Sequence, residues 1–248
     1  MAPLRFALLQ ARNANDPART DEHAAFAARL KVGIDQITAV DVLSTKLDEK
    51  LYERCDAILV GGSGEYSVLD SHSAIIRFVD FLAKAAAEGP IPIFASCFGF
   101  QAIVLGLGGT VVADEANAEV GSYPIHLTKE GQTDALYSEF PKTFIGQLGH
   151  KDRADTLPNC LESLAYSARA PYQAIRYRGR PVYATQFHPE LTGNDNRQRF
   201  LGYMEQYGRL FGKQEAQNRL DSHVDSPEAN SLLGRFSDHF LGPAGAGQ

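Results

Sequence analysis

The stretch Pro92-Ile93-Phe94-Ala95-Ser96-Cys97-Phe98-Gly99-Phe100-Gln101 decides the fold, because it predicts a strand, a sharp turn and a helix in immediate succession. Its apolar first half, preceded by Gly89-Pro90, is typical of a short buried strand. The apolar run at residues 102–105 then predicts a helix that ends near Gly106. Cys97 therefore lies in the turn between the two elements.

The small residues Ala95, Ser96 and Gly99 surround Cys97. A nucleophile presented on a strand-to-helix turn needs such neighbours, because they let substrate and backbone approach the side chain. The helix N-terminus that follows would also favour the thiolate. A buried core cysteine produces the same local pattern, since free cysteine is among the most buried residue types. This stretch alone leaves both interpretations open.

The composition excludes several classes of partner. The 248 residues are 44% hydrophobic and 22% charged, which is ordinary for one large globular domain, or one domain with an appendage. The net charge is −6 and the chain has no basic stripe or polybasic segment, so we expect neither a nucleic-acid nor a membrane partner. No apolar run approaches the roughly 20 residues of a membrane-spanning helix.

Three cysteines, Cys55, Cys97 and Cys160, are widely spaced and form no C-x-x-C pair. This pattern indicates neither a zinc site nor a disulfide framework, and we expect no cofactor or metal. A reducing cytoplasm is the simplest location. The apolar run at residues 4–10 is short and contains Arg5, so it predicts a first buried strand and not a signal peptide.

The first part of the chain alternates between predicted strands and helices. The strands are at residues 4–10, 34–42, 56–60 and before Cys97, and the helices are at 20–31 (capped by Thr20), 47–54, 73–87 and after Cys97. This alternation predicts a parallel sheet with helices on both faces. Ligands of such sheets bind at the carboxyl ends of the strands. The glycine-rich loop at residues 61–68 and Cys97 both follow strands, so they can face one crevice.

The pattern changes after Gly109 to short strands separated by turns, which predicts a small antiparallel strand region. An amphipathic helix is predicted at residues 194–212, with an Asn or Asp cap. Further helices are predicted near 216–224 and 231–241, and the glycine-rich end at 242–248 is expected to be flexible. We therefore divide the chain into a domain at residues 1–195 and a C-terminal helical extension at 196–248.

Two of the seven histidines, His150 and His188, follow predicted strands. His188 is followed by Pro189 and Glu190, and this spacing lets a carboxylate reach the imidazole from a locally bent chain. A cysteine nucleophile needs such a pair, because the histidine holds the proton and the carboxylate orients and stabilises the imidazolium.

Several spaced motifs together resemble the class I (triad) glutamine amidotransferases. Cys97, with Gly99 and Gln101, resembles the C-x-G-x-Q nucleophile motif of this family, residues 186–190 look like its Q-F-H-P-E motif, and residues 61–68 are similar to its glycine-rich oxyanion loop. Four further motifs resemble the branch that contains the amidotransferase domain of GMP synthase. They are Glu119-Val120-Gly121, His150-Lys151-Asp152, Leu157-Pro158 and Gln173-Ala174-Ile175-Arg176-Tyr177.

The resemblance covers residues 4–195 and implies a flavodoxin-like, open, mostly parallel sheet with helices on both faces. It also implies hydrolysis of the γ-amide of glutamine through a γ-glutamyl thioester. The implied site consists of Cys97 as nucleophile, His188 as general base and acid, Glu190 as the group that orients it, Gly62 and Phe98 as oxyanion donors, and Gln101, Gly149 and His150 as substrate contacts.

The chain departs from the family pattern at four positions. Ala95 and Ser96 replace the glycine and the larger apolar residue that usually precede the cysteine, and Ser63 stands where the loop usually has proline. Lys151 replaces a common glycine after His150, which could change what fits beside the glutamine site.

Three functions remain open at this point. The chain has no Ser-Gly-Gly-Val-Asp-Ser loop, so we expect no GMP synthesis by this chain alone. The first hypothesis is a stand-alone amidotransferase with a separate ammonia-accepting synthase subunit. The second is a hydrolase of γ-glutamyl peptides or amides, and the third is a catalytically silent binding or regulatory protein. The intact cysteine, histidine and glutamate argue against the third.

Overall fold

A computed structural model describes residues 3–242 of the chain. The strands in these residues are β1 (Phe6–Gln10), β2 (Ile37–Asp41), β3 (Ala57–Val60), β4 (Ile93–Ser96), β5 (Thr110–Ala113), β6 (Glu119–Leu127), β7 (Thr143–His150), β8 (Asp152–Thr156), β9 (Leu161–Tyr166), β10 (Ala174–Tyr177) and β11 (Val182–Thr185). The α-helices are α1 (Ala18–Leu30), α2 (Ser73–Glu88), α3 (Phe98–Gly106), α4 (Lys129–Gln132), α5 (Gly193–Gly202), α6 (Met204–Phe211), α7 (Lys213–Asp221) and α8 (Pro227–Leu241).

Nine strands form one sheet in the order β2-β1-β3-β4-β11-β10-β9-β6-β7. Neighbours run parallel from β2 to β11 and antiparallel from β11 to β7. The parallel half has the strand order of flavodoxin-like folds, with β11 in the place of the fifth strand. The predicted α/β architecture is therefore confirmed. Most of the antiparallel strands continue the main sheet, while β5 and β8 pair in a small sheet of their own.

The sheet has a hydrophobic core on each face. Alternate residues of a strand point to opposite faces, and accordingly Leu9 of β1 belongs to one core and Leu8 to the other. The first core is covered by α2 and α3 and the second by α1 and α8. Phe236 of α8 is fully buried and meets Phe94 of β4 edge-on, with 5.4 Å between ring centroids. The C-terminal extension thus contributes to the core of the sheet.

Several predicted boundaries were wrong. The helix α1 begins at Ala18 after Pro17 and not at Thr20, and the strand predicted at residues 34–42 starts with a short 3₁₀ turn. The helix predicted at 47–54 is also a 3₁₀ turn, Glu49–Glu53, in which five residues are too few for a stable α-helix.

The helix predicted at residues 194–212 is two helices, α5 and α6, which meet at Tyr203. Gly202 ends α5, and glycine lowers helix propensity by about 1 kcal/mol relative to alanine. The cap of α5 is Thr192, whose hydroxyl accepts a hydrogen bond from the Asp195 N–H at 3.0 Å. The cap predicted on Asn or Asp was therefore wrong, and the more N-terminal threonine takes that place.

The two predicted C-terminal helices begin earlier than expected, as α7 and α8. Residues 243–248, for which the sequence predicts flexibility, lie outside the described residues. Between residues 3 and 242, no helix combines the length and apolar character needed to cross a membrane.

Candidate active site

The carboxyl ends of neighbouring parallel strands converge on one cavity of about 330 Å³. The strand β1 leads to Arg12, β3 to the glycine-rich loop, β4 to Cys97 and β11 to His188. The order β1-β3-β4-β11 makes these strands direct neighbours. The structure therefore brings together the loop, the cysteine and the histidine that are far apart in the chain.

Cys97 occupies a sharp turn between β4 and α3, with φ of 50° and ψ of −99°. A positive φ is uncommon for residues other than glycine and is often stored at functional sites. The turn is held by a hydrogen bond of 2.7 Å from the Cys97 N–H to the Thr185 carbonyl on β11. A Cβ atom on Gly99 would lie 2.6 Å from Val60, so glycine is needed for the helix to pack this closely on β3.

His188 and Glu190 form a buried pair in which the histidine Nδ1 and the glutamate Oε1 are 2.6 Å apart. The His188 backbone N–H donates to the Gln147 carbonyl on β7 at 2.8 Å, which fixes the chain after β11. Because Nδ1 is engaged by Glu190, Nε2 is the ring nitrogen available to Cys97. This arrangement can hold a proton between a thiol and a carboxylate-supported imidazole.

The pKa values of the pair are shifted in opposite directions. Burial by itself lowers the pKa of His188, but the Glu190 carboxylate and Cys97 outweigh burial and raise this pKa to about 9. For Glu190, burial raises the pKa, and the charge and hydrogen bond of His188 more than reverse that effect, so the pKa is lowered. The pair is therefore an imidazolium and a carboxylate at neutral pH.

The glycine-rich loop lies between Glu22 of α1 and His188. A Cβ atom on Gly61 would lie 2.3–2.5 Å from the Glu22 carboxyl group, and one on Gly62 would lie 2.8 Å from the His188 Cε1. The Gly62 N–H donates to Glu22 Oε1 at 3.1 Å, so in this conformation it is engaged outside the cavity. Phe98 is the first residue of α3, where backbone N–H groups lack a partner within the helix.

Gln101 lines the cavity, yet its side chain is held by protein groups. Its Nε2 donates to the Asp152 carbonyl at 2.8 Å and to Gln186 Oε1 at 3.1 Å. Gln186 in turn donates from Nε2 to the Cys97 sulfur at 3.6 Å. Gln101 thus orients the amide that contacts the cysteine.

Gly149 and His150, at the end of β7, also line the cavity. Both ring nitrogens of His150 face oxygen atoms, because Nε2 is 3.1 Å from Glu119 Oε2 and Nδ1 is 3.0 Å from the Asp152 carbonyl. Glu119 Oε2 also accepts hydrogen bonds from Gln173 at 2.7 Å and from a serine hydroxyl. Three of the spaced sequence motifs therefore meet in one buried network beside the cavity.

The cavity contains residues that the sequence pattern did not reveal. One wall is formed by α5 and α6, and Arg12 and Asp152 lie among the strand ends. The residues that α5 and α6 contribute are Asn196, Arg199, Phe200, Tyr203, Gln206, Tyr207 and Leu210. Their apolar spacing predicted a packed helix face, but nothing local indicated which surface that face would cover.

The profile of the class-I glutamine amidotransferases matches residues 23–203, so the chain belongs to this family. Its curated relatives include the glutamine-hydrolysing GMP synthase of Aquifex aeolicus, which is 37% identical over 109 residues, covering 44% of this chain and 21% of that protein. A separately encoded subunit of the glutamine-hydrolysing GMP synthase of Methanocaldococcus jannaschii is 33% identical over 106 residues, covering 43% of this chain and 54% of that protein.

Solved structures share the fold. A glutamine amidotransferase from Thermotoga maritima superposes with a TM-score of 0.73 at 16% identity, covering 96% of this chain and 98% of that one. A glutamine amidotransferase from Methylobacillus flagellatus gives a TM-score of 0.65 at 13% identity, covering 94% and 93% of the two chains.

The matches to the curated relatives span from about a fifth to about half of those proteins' own lengths. Family membership and these relatives support a glutamine amidotransferase enzyme and glutamine hydrolysis as its general chemistry.

Proposed function

We propose that this chain hydrolyses the γ-amide of glutamine through a γ-glutamyl thioester on Cys97, as a stand-alone amidotransferase. The observation that carries the proposal is the buried His188–Glu190 pair, 2.6 Å apart, on the strand next to the one that presents Cys97. A cysteine at a strained turn with a carboxylate-supported histidine is an arrangement suited to covalent catalysis.

In the first half-reaction the Cys97 thiolate attacks the γ-carbonyl carbon, and the carbonyl oxygen becomes an oxyanion. The carbon–nitrogen bond then breaks while the His188 imidazolium donates its proton to the leaving nitrogen, which departs as ammonia. In the second half-reaction the neutral His188 takes a proton from water, and the resulting hydroxide attacks the thioester. Glutamate leaves and the thiolate is restored, so the cycle consumes one water.

The oxyanion requires hydrogen-bond donors at the point where its charge develops, and removing one donor typically costs a factor of about 10²–10³ in rate. The Phe98 N–H at the start of α3 is one donor in this proposal. The Gly62 N–H is the second, after it turns away from Glu22. Glu190 remains ionised throughout and keeps the imidazole oriented.

The released ammonia goes to a separate synthase subunit in this proposal. The archaeal relatives named as one subunit of GMP synthase support this, since such a name implies a second subunit.

A second candidate function is the hydrolysis of γ-glutamyl peptides, and Arg199 on the cavity wall favours it. Of the other arginine and lysine side chains at the cavity, Arg12 pairs with two carboxylates and Lys151 lies 4.0 Å from Glu115. Arg199 forms no ion pair within residues 3–242, and the nearby Glu190 is bonded to His188. It can therefore bind the carboxylate that the leaving amino acid of a γ-glutamyl dipeptide carries.

One assay separates these functions. The purified chain is incubated with glutamine or with γ-glutamyl dipeptides, and glutamate release is followed, with Cys97→Ser as the control that abolishes turnover. Turnover of dipeptides far above that of glutamine supports the hydrolase, and weak glutaminase activity supports an amidotransferase that lacks its partner. If no substrate releases glutamate and an electrophilic glutamine analogue does not label Cys97, both enzyme proposals fail and the silent binding protein remains.

A further inference from the structure

Glu22 is a buried acidic residue of α1 that the mechanism above does not use. Three donors converge on its carboxylate. Oε1 accepts hydrogen bonds from the Gly62 N–H at 3.1 Å and from Arg12 Nη2 at 3.0 Å, and Oε2 accepts one from Gln10 Nε2 at 3.0 Å. A charged group without access to water is stable only when it is paired and hydrogen-bonded in this way.

The contact between Glu22 and Gly62 competes with the proposed chemistry. A single N–H cannot donate fully to Glu22 and to an oxyanion on the substrate at the same time. Glu22 does not line the cavity that contains Cys97, so the Gly62 N–H points to the opposite side of the loop. The described conformation therefore lacks one of the two proposed oxyanion donors.

We propose that Glu22 is a positioning residue that holds the Gly62 N–H out of the cavity, and that substrate binding turns this peptide toward the reacting carbonyl. The inference rests on the proposed function, because it needs Gly62 as an oxyanion donor. In the resting protein Cys97 is present and paired, but the stabilisation of the tetrahedral intermediate is incomplete.

The exchange leaves no charge unpaired. When the Gly62 N–H turns away, Oε1 keeps its bond to Arg12 and Oε2 keeps its bond to Gln10. Arg12 is also bonded to Asp16 at 2.9 Å, so the guanidinium stays in place during the change. The N–H leaves one negatively charged oxygen for another, and the cost of its departure is recovered only when an oxyanion forms.

The loop is built to allow this rotation. Gly61 lies against the Glu22 carboxylate and Gly62 lies against His188, at distances that leave no space for a Cβ atom on either residue. Two successive glycines also give the peptide between them access to backbone conformations that other residues resist. The requirement for glycine at both positions follows from the close packing and from the rotation together.

The test compares two reactions of Cys97. Thioester formation with glutamine, measured in a single turnover, needs the oxyanion donors, whereas alkylation by iodoacetamide needs only the thiolate. Glu22→Gln weakens the acceptor of the Gly62 N–H, because hydrogen bonds to charged groups are about twice as strong as neutral ones. We expect thioester formation to become roughly fivefold faster and alkylation to keep its rate.

The matched control is Asp16→Asn, which removes the same charge from the other carboxylate partner of Arg12 and does not contact Gly62. It should leave both rates unchanged. Glu22→Asp keeps the negative charge beside Arg12 but withdraws the carboxylate from Gly62, so it gives the answer even if Glu22→Gln does not fold. Faster thioester formation is expected there as well.

Thioester formation at or below the wild-type rate in the folded Glu22 variants, with alkylation unchanged, overturns the inference and means that Glu22 supports the productive loop. An equal change in both reactions also overturns it, since the effect would then be on the thiolate. The failure of the proposed function looks different, because the wild-type chain itself would form no thioester with any γ-glutamyl substrate.

Discussion

His188 is surrounded by groups that act on its proton in opposite directions. Burial favours the neutral ring, whereas the Glu190 carboxylate on Nδ1 and the Cys97 side chain favour the imidazolium, and the pKa of His188 is raised to about 9. The ring therefore carries at neutral pH the proton that acylation delivers to the leaving nitrogen. The same groups explain why a buried carboxylate is tolerated at Glu190, since its charge is paired.

The raised pKa of His188 predicts an alkaline limit to activity. Protonated His188 is present below about pH 9 and is lost above it, so kcat/KM for glutamine should fall as the pH rises through that value. Glu190→Gln removes the main group that opposes burial, and the pKa of His188 should decrease. The alkaline limb of the pH–rate profile should then shift to lower pH.

The control for this shift is Glu119→Gln, which makes the same change at the other histidine–glutamate pair of the cavity. It should leave the position of the alkaline limb unchanged. A limb at the same pH in wild type and Glu190→Gln would contradict the assignment of the proton to His188.

At the scale of elements, α5 and α6 have a role that their sequence does not announce. They form a wall over the cavity that holds Cys97, and Tyr203 at their junction approaches the glycine-rich loop closely enough that a Cβ atom on Gly64 would lie 2.5 Å from its hydroxyl. In α6 no residue is fully buried, so this helix is held mainly by its contacts at the cavity and with α7. The two helices therefore help to determine which substrate fits.

Arg199 of α5 allows the role of this wall to be tested. If it binds the carboxylate of the leaving amino acid, Arg199→Ala should raise KM for γ-glutamyl dipeptides about tenfold, the value of one charge-assisted hydrogen bond. KM for glutamine and for γ-glutamyl methylamide should not change, because their leaving groups have no carboxylate. Steady-state kinetics on the three substrates measures this difference.

Arg197→Ala is the matched control, since Arg197 is on the same helix but does not line the cavity. It should leave all three KM values unchanged. An equal rise in KM for every substrate of the Arg199 variant would instead assign Arg199 to the glutamyl end, and the dipeptide argument would fail.

At the scale of the whole molecule, the last helix joins the end of the chain to its centre. Leu232, Leu233 and Phe236 of α8 are fully buried in the core that includes Phe94 of β4, and β4 leads directly to Cys97. The helices α5, α6 and α7 lie between this anchored helix and the strand that delivers His188. The cavity wall is thus fixed to the sheet at both ends.

The packing of α8 predicts a large loss of stability for a single substitution. Phe236→Ala should lower the free energy of unfolding by about 3–5 kcal/mol, the usual cost of removing a buried phenylalanine ring. Leu201→Ala, on a leucine that is 41% exposed, should cost less than about 1 kcal/mol. Chemical denaturation followed by circular dichroism measures both, and equal losses would show that α8 is not part of the cooperative core.

Much of the fold and part of the candidate site could be predicted because their signals are local. The strand, turn and helix around Cys97 follow from apolar runs and small residues within one short stretch, and α3 ends at Gly106 as predicted. His188 and Glu190 are close in sequence, so their pairing needs only a bent chain. The roles of these residues in catalysis stay predictions that the proposed assays test.

Other features could not be predicted because they depend on contacts between distant segments. In the sequence Glu22 is an ordinary acidic residue near the start of a helix, and its burial against Gly62 depends on how α1 packs beside β3. Arg199 is one charge on an amphipathic helix, and its place at the cavity depends on the fold of α5 over β6 and β7.

The amino-acid sequence alone determined the elements, the family resemblance and the three residues of the proposed triad, because periodicity, turn residues and short motifs act over a few positions. The tertiary structure decided which of the cavity's groups are free and which are engaged. It showed the Gly62 N–H bonded to Glu22, Gln101 committed to its protein neighbours and Arg199 without an ion pair in the described residues. Hydrogen bonds and charges are satisfied through space, so only the folded chain reveals their partners.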